Sequence, residues 1–556
     1  MKSYILNIVK VILVLCATII LASCGGGGNN NEPANISISP TSVSMQIGGT
    51  ATLTAMANVT YEKIIWYSEN PNIVQISSTS GDEIEITALK NGMTYVAAHT
   101  SNDPSIKARI PVMVGNTGPI QYVLVLNGST STSTAESAGT IPYPPTVYGN
   151  VMSGARSLDT VPPYTQKIVE RDGQKLYQID PAKYLPKITS QMKSQILAAT
   201  PTSMSSKAVG GTQSFTIRRM DNTGGTLRIT AKHLYEGQYC DIYVEMNGST
   251  TLIDGIQAES VAKAFDERIR DYMVDNFGPY KGNANNKITI LVEDIRDEKY
   301  NNSSVSQFTA GYFTAADILP YNPSNESSSG NGSWMIHIDV NPLMGTNGNY
   351  EVSKAFPTVA HEFQHLINYY DTSSNFSADN DVWWNEAFSM AAEYMLYGED
   401  RISDYNSNDG GVLTSGAILA YKSYSDNFNS LAANYGMPFL FGQYLRTQTN
   451  TPTIFKNILS SPYTDHRAVM DGLQKLGYND ALNFTELNKN FRIALIKKES
   501  SGPYGFRGES IFNTILPITN NDYTLSLKGT AGVVRRATEM YDRPVDAGAN
   551  IQFYFF

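Results

Sequence analysis

A multidomain chain is what this sequence predicts: a β-sandwich first, a β-rich region after it, then an α+β body that ends in a small β segment. Three observations carry that reading. Residues 35–115 alternate polar and apolar side chains in short runs separated by turn signals, as half-buried strands do. Two helical patterns follow between residues 356 and 398, and the first contains His361-Glu362-Phe363-Gln364-His365, an H-E-x-x-H match. Strand-like pieces return after Gly502, at 523–527 and 551–556. A length of 556 residues accommodates three or four domains.

The amino terminus reads as an export signal. Lys2 and Lys10 precede an apolar run at 11–20 that is short for a membrane span and ends in Leu21-Ala22-Ser23-Cys24-Gly25. Residues 1–23 resemble a bacterial lipoprotein signal, with L-A-S-C similar to a lipobox. The resemblance implies that Cys24 becomes a lipidated first residue and that the protein is exported and anchored to the bacterial membrane, at the outer membrane or cell surface. Residues 24–34, rich in Gly and Asn, then form a polar tether. Of three cysteines, Cys16 lies in the signal and Cys24 is the lipid site, so Cys240 remains alone and no internal disulfide can form. Nothing local activates Cys240, which reads as a packed thiol. Without Lys2 and Lys10 the net charge moves from −10 to about −12, which argues against a nucleic-acid partner.

Within 35–115, the runs Val43-Ser44-Met45-Gln46-Ile47-Gly48-Gly49-Thr50 and Ile65-Trp66-Tyr67-Ser68 resemble the group 2 bacterial immunoglobulin-like domains, which implies a stalk or adhesion unit. Trp66 is expected in the core of that sandwich. Residues 119–255 form an accessory β-rich region, with strand-like runs at 122–126, 214–219, 227–232 and 241–246. The stretch 143–206, rich in Pro, Ser, Thr and Lys, fits either a surface linker or a cleavable pro-region.

Residues 256–500 hold the chemistry. On a helix, positions four apart lie about 40° apart in projection, so His361 and His365 share a face, with Glu362 beside it. Val359, Ala360, Phe363, Leu366 and Ile367 make an apolar stripe that holds this helix to a core, and Pro357 stands near its start. Two imidazoles pointing into one space suit Zn2+. A third ligand is found in Trp383-Trp384-Asn385-Glu386-Ala387-Phe388-Ser389-Met390-Ala391-Ala392-Glu393, a second helical pattern closed by Gly398. His361, His365 and Glu386 make three protein ligands and leave one position open, as a catalytic rather than a structural zinc site does. Glu393, two turns beyond Glu386, fits two roles: acceptor of a ligand histidine's free ring N–H, or a solvated charge.

These residues resemble the gluzincin zinc metallopeptidases, and most closely the hyicolysin-like family. The resemblance rests on F-P-x-x-A-H-E-F-Q-H-x-I-N at 356–368 and N-E-x-x-S-x-x-A-E at 385–393, and it extends more faintly over about 210–450. It implies a zincin-type catalytic domain acting on protein or peptide substrate, with Glu362 as general base and not as a ligand. In that clan a tyrosine or histidine further along stabilises the oxyanion; Tyr435 is favoured here, with Tyr463 and His466 as alternatives. An edge strand just before the motif receives the substrate main chain, and Ser333-Trp334-Met335-Ile336-His337-Ile338-Asp339-Val340 has that alternating character. His337 is left off the metal list. The aminopeptidase segment G-x-M-E-N is missing before His361, which favours an endopeptidase. Gly282-Asn283-Ala284-Asn285-Asn286 lacks the carboxylates of a calcium turn. Residues 501–556 complete the chain as the C-terminal β segment. Two other functions fit the same residues: a surface adhesin on a latent protease scaffold, and another zinc hydrolase.

Overall fold

The structure is a computed structural model that describes residues 36–114, 122–139, 165–198, 208–372, 382–407 and 431–556, apart from gaps inside these spans. The signal at 1–23, Cys24, the tether at 24–34 and, of the stretch 143–206, residues 143–164 and 199–206 lie outside the described residues. Among the described residues no helix is long and apolar enough to cross a membrane. The chain divides into two units, Met1–Pro119 and Ile120–Phe556.

The first unit is two four-stranded sheets around one core. One sheet has the order Ile36–Ser39, Thr50–Ala57, Glu83–Ala88, Val74–Ile76, and the other Val43–Met45, Lys107–Val114, Gly92–Thr100, Ile64–Ser68. Alternation in the sequence becomes alternation in burial: Ile84, Ile86 and Ala88 point inward while Glu83 and Glu85 are exposed. Trp66 is 1% exposed between the sheets, as the sequence suggests, and its indole N–H donates to the Gly81 carbonyl at 2.7 Å.

In the second unit a large sheet runs in the order Arg296–Asp297, Thr212–Met220, Thr226–Glu236, Cys240–Asn247, Ile288–Glu293, Met335–Asp339, Gly311–Tyr312. Arg296–Asp297 pairs in parallel with Thr212–Met220, the next two pairs are antiparallel, the pairings of Ile288–Glu293 with its two neighbours are parallel, and Gly311–Tyr312 closes the order antiparallel. One face buries Ile242, Val244, Ile290, Val292, Ile336 and Ile338 under a continuous helical run from Gly255 to Phe277 and under the motif helix. Phe265 of that run meets Phe363 edge to face at 4.8 Å, which sets the height of the motif helix over the sheet. The opposite face holds a smaller core of Phe215, Ile217, Tyr243, Leu291 and Met335. Across that face the backbone N–H of Arg218, on Thr212–Met220, donates to the Tyr312 hydroxyl at 3.1 Å.

Two expectations meet differences here. Met335–Asp339 is not an edge: it lies between Ile288–Glu293 and Gly311–Tyr312, with all five residues buried. Its polar side chains look solvent-facing in sequence because their partners are remote. His337 is sandwiched between Glu293 at 2.7 Å and Asp317 at 2.9 Å and stacks on Tyr312 at 4.0 Å. Burial alone lowers the His337 pKa, but the two carboxylates outweigh it and hold the ring up at about 9. The edge is Gly311–Tyr312.

The segments 119–255, 256–500 and 501–556 also interleave within this one unit. Tyr122–Asn127 is the middle strand between Gly532–Arg536 and Ile551–Phe555. The hairpin Thr165–Arg171 and Gln174–Ile179 pairs in parallel with Gln307–Phe308, and Leu176, Met192 and Ile196 join the main core. Downstream, the helices Ile402–Ser407, Leu431–Thr449, Ile454–Leu459, His466–Lys475 and Phe484–Lys497 form the helical second half.

Candidate metal centre

The motif helix spans Phe356–Thr372, and its stripe Val359, Ala360, Phe363, Leu366 and Ile367 is at most 1% exposed, so the helix has one seating on the core. The second helix, Val382–Tyr397, lies against it. Ala387, Met390 and Ala391 are fully buried there, and Gly398, at φ +77°, closes the helix with its N–H on the Tyr394 carbonyl at 2.8 Å.

The two helices bring His361, His365 and Glu386 together, with one donor atom from each lying within 4.8 Å of the others. His361 Nε2 stands 3.5 Å from Glu386 Oε2, and His365 Nε2 stands 3.6 Å from Glu386 Oε1. The imidazoles are 4.7 Å apart and nearly perpendicular, at 81°. Each ring is fixed from behind through Nδ1. His361 Nδ1 is 2.5 Å from Glu393 Oε1; His365 Nδ1 is 3.0 Å from the Asn385 amide oxygen and 3.1 Å from Ser389 Oγ. Ser389 donates in turn to Gln364 Oε1 at 2.6 Å, and Asn368 donates to the same Asn385 oxygen at 2.5 Å. With Nδ1 as the donor on both rings, both Nε2 lone pairs face the Glu386 carboxylate.

That arrangement fits a divalent cation. Glu386 Oε2 is buried and has no hydrogen-bond partner, a costly state that an ion among the three donors relieves. Two imidazoles and one carboxylate make a donor set suited to zinc. The electrostatics show the same demand for positive charge. Burial lowers the His361 pKa, yet the carboxylates of Glu386, Glu393 and Glu362 outweigh it and hold His361 up at about 10. His365 is pushed down to about 4, by burial first and then by its charged neighbour His361, against the pull of Glu386. Burial raises Glu386, and the two histidines more than offset it; burial raises Glu393 too, and Arg401, His361 and Lys167 bring it down to about 2. The carboxylates thus create around the two rings a field that favours a cation.

Glu362 is 5% exposed on the motif helix and faces the edge strand: a Cβ on Gly311 would stand 3.2 Å from Glu362 Cγ and 2.8 Å from the His337 carbonyl. Only a glycine lets the strand lie so close to the helix. Tyr435 is 1% exposed on the helix Leu431–Thr449, in the field of Arg401. Tyr463 is 41% exposed under the Arg467 guanidinium, and His466 starts the helix His466–Lys475, packed on the Phe484 ring at 5.6 Å. Sequence reasoning missed Asn385, Ser389, Arg401 and Lys167. For the first two a signal existed: Asn385 and Ser389 are one turn apart and flank Glu386, so they share its approach to the motif helix.

No protein-family model matches the chain. The similarity found among curated proteins is to a metalloprotease, and it supports that class for this chain. The relative is the neutral metalloprotease ShpI of Staphylococcus hyicus, 29% identical over 357 residues, which are 63% of this chain and 77% of that protein. Among solved structures, a DUF4784 family protein from Bacteroides caccae matches over 40% of this chain and 52% of its own, at 10% identity and a TM-score of 0.10.

Proposed function

We propose that this protein is a zinc metalloendopeptidase that cuts extended protein segments, exported and tethered to the bacterial membrane through a lipid on Cys24. The observation that carries the enzymatic reading is the convergence of His361, His365 and Glu386 on one point beside Glu362. Zinc, when bound there, supplies Lewis acidity that makes water a nucleophile near neutral pH and polarises the scissile carbonyl. Glu362 takes the attacking water's proton and delivers it to the leaving nitrogen. Glu393 and Asn385 keep both rings in the tautomer that presents Nε2. The substrate lies along Gly311–Tyr312, the strand that ends the sheet order and passes Glu362, and is held by main-chain hydrogen bonds. Tyr435 is the assigned oxyanion donor, on a helix that packs against the one carrying Glu386.

The test is zinc content and cleavage of a random peptide pool for the parent, Glu362→Gln and Tyr435→Phe. All three are expected to hold about one zinc per chain, as three-ligand sites do. Turnover is expected to fall roughly a thousand-fold in Glu362→Gln and roughly a hundred-fold in Tyr435→Phe. Retained turnover in either variant removes that residue from its role, and zinc without turnover in the parent points to the adhesin or a latent precursor. Cys24→Ser is expected to shift the expressed protein from the detergent phase to the aqueous phase; unchanged partitioning sinks the lipid anchor.

A further inference from the structure

The carboxylate behind His361 is itself gripped from two sides. Arg401, 1% exposed, places Nη2 at 3.1 Å and 3.0 Å from the two Glu393 oxygens. Lys167 approaches from the opposite end of the sequence: its Nζ lies 3.9 Å from Glu393 Oε2 and donates to Glu399 Oε2 at 2.6 Å, across 232 positions of chain. Lys167 belongs to the hairpin whose second strand pairs, at Tyr177 and Gln178, with Gln307 and Phe308. Those two residues lead directly into the edge strand Gly311–Tyr312. Arg171 of the same hairpin donates to the Leu343 carbonyl at 3.3 Å.

We propose that Lys167 and Arg401 are positioning residues of the metal centre: they hold Glu393 so that His361 keeps its Nε2 on the ion, and the hairpin Thr165–Ile179 is thereby part of the working site and not a removable pro-region. The physical case is local. A carboxylate buried as deeply as Glu393 is stable only when paired, and His361 alone supplies one hydrogen bond to one oxygen. Arg401 reaches both oxygens from one side through Nη2 and balances their charge. Lys167 adds its charge at Oε2, the oxygen that His361 does not use, and Glu399 fixes where that ammonium sits. Loss of either cation frees Glu393 to turn toward the other, and the imidazole turns with it.

The inference rests on the metal reading above, so its test reads the metal as well as activity. The full chain carrying Lys167→Met, Lys167→Arg or Arg401→Met is loaded with zinc and challenged with a chelator, and the visible spectrum of the cobalt form and the thermal midpoint are recorded in parallel. Lys167→Met is expected to release zinc about ten-fold faster and to shift the cobalt bands, with little change in midpoint, since partners of a ligand typically change metal affinity 10–100-fold. Lys167→Arg is expected to restore both readouts. Arg401→Met is expected to show the larger loss, and should that buried change prevent folding, the partly exposed Lys167 pair decides alone. A folded Lys167→Met with the parent's release rate and spectrum overturns the proposal by itself; a parent that takes up neither zinc nor cobalt overturns the metal reading and the proposal together.

Discussion

The two histidines of the candidate centre face the same carboxylate but are backed by opposite kinds of chemistry. Behind His361 stand charges: Glu393, then Arg401 and Lys167. Behind His365 stand neutral groups: the Asn385 amide and the Ser389 hydroxyl, tied to Gln364 and Asn368. A carboxylate acceptor strengthens the donor ability of its ring, whereas an amide only orients one. The two sides thus divide the labour, one supplying electron density to the ion and the other supplying direction. The pKa values of the two rings also diverge: Glu386 and Glu393 outweigh burial and hold His361 up at about 10, whereas burial and the charge of His361 push His365 down to about 4.

That contrast can be broken at three depths. The largest effect is expected from Glu386→Gln, which removes the ligand common to both histidines; zinc retention after dialysis should drop to near zero, and full retention would show that the three donors do not share an ion. A smaller and unequal pair of effects separates the two sides. Glu393→Gln is expected to weaken zinc binding by roughly 10–100-fold, and Asn385→Ala by less than about ten-fold, as read by competition with a fluorescent chelator. Equal losses would erase the distinction drawn here.

The smallest effect is a pH dependence. Because the folded, ion-free protein raises His361 from 6.5 to about 10, it binds more protons than the unfolded chain across that interval. The stabilisation is complete below about pH 6.5 and is lost as pH climbs toward 10. Glu393, lowered from 4.5 to about 2, works in the other direction and is lost only in acid, as pH falls through about 2. Zinc takes the place of the His361 proton, so the gap between thermal midpoints with and without zinc should widen by a few degrees from pH 7 to pH 9. A gap that narrows over that interval would contradict the assignment of the raised pKa to His361.

How much of this was readable from the chain depends on how far apart the cooperating residues lie. His361, Glu362 and His365 are fixed by one helical turn, and Glu386 to Glu393 by two, so local periodicity places each set on its face. The seating of the motif helix was equally legible, because Phe363, Leu366 and Ile367 repeat at helical spacing and are buried. Lys167 was not legible: its approach to Glu393 depends on a hairpin docking beside Gln307–Phe308, and no local pattern encodes that register. Met335–Asp339 misled for the same reason, since a buried histidine and aspartate look solvated until Glu293, Asp317 and the backbone N–H groups of Ile295 and Leu343 are brought to them. The interleaving of 119–255 with later strands is likewise a property of sheet order, which sequence continuity conceals.

The strand Tyr122–Asn127 carries a consequence for how this molecule is made. Both of its neighbours, Gly532–Arg536 and Ile551–Phe555, are synthesised some four hundred residues after it. Val123, Leu124, Val125 and Leu126, all fully buried at the end, therefore keep two naked edges while some four hundred further residues are made. A ribosome that stalls before codon 551 releases a polypeptide whose stickiest ribbon is still half unclothed, and such fragments are destined for aggregation or a holdase.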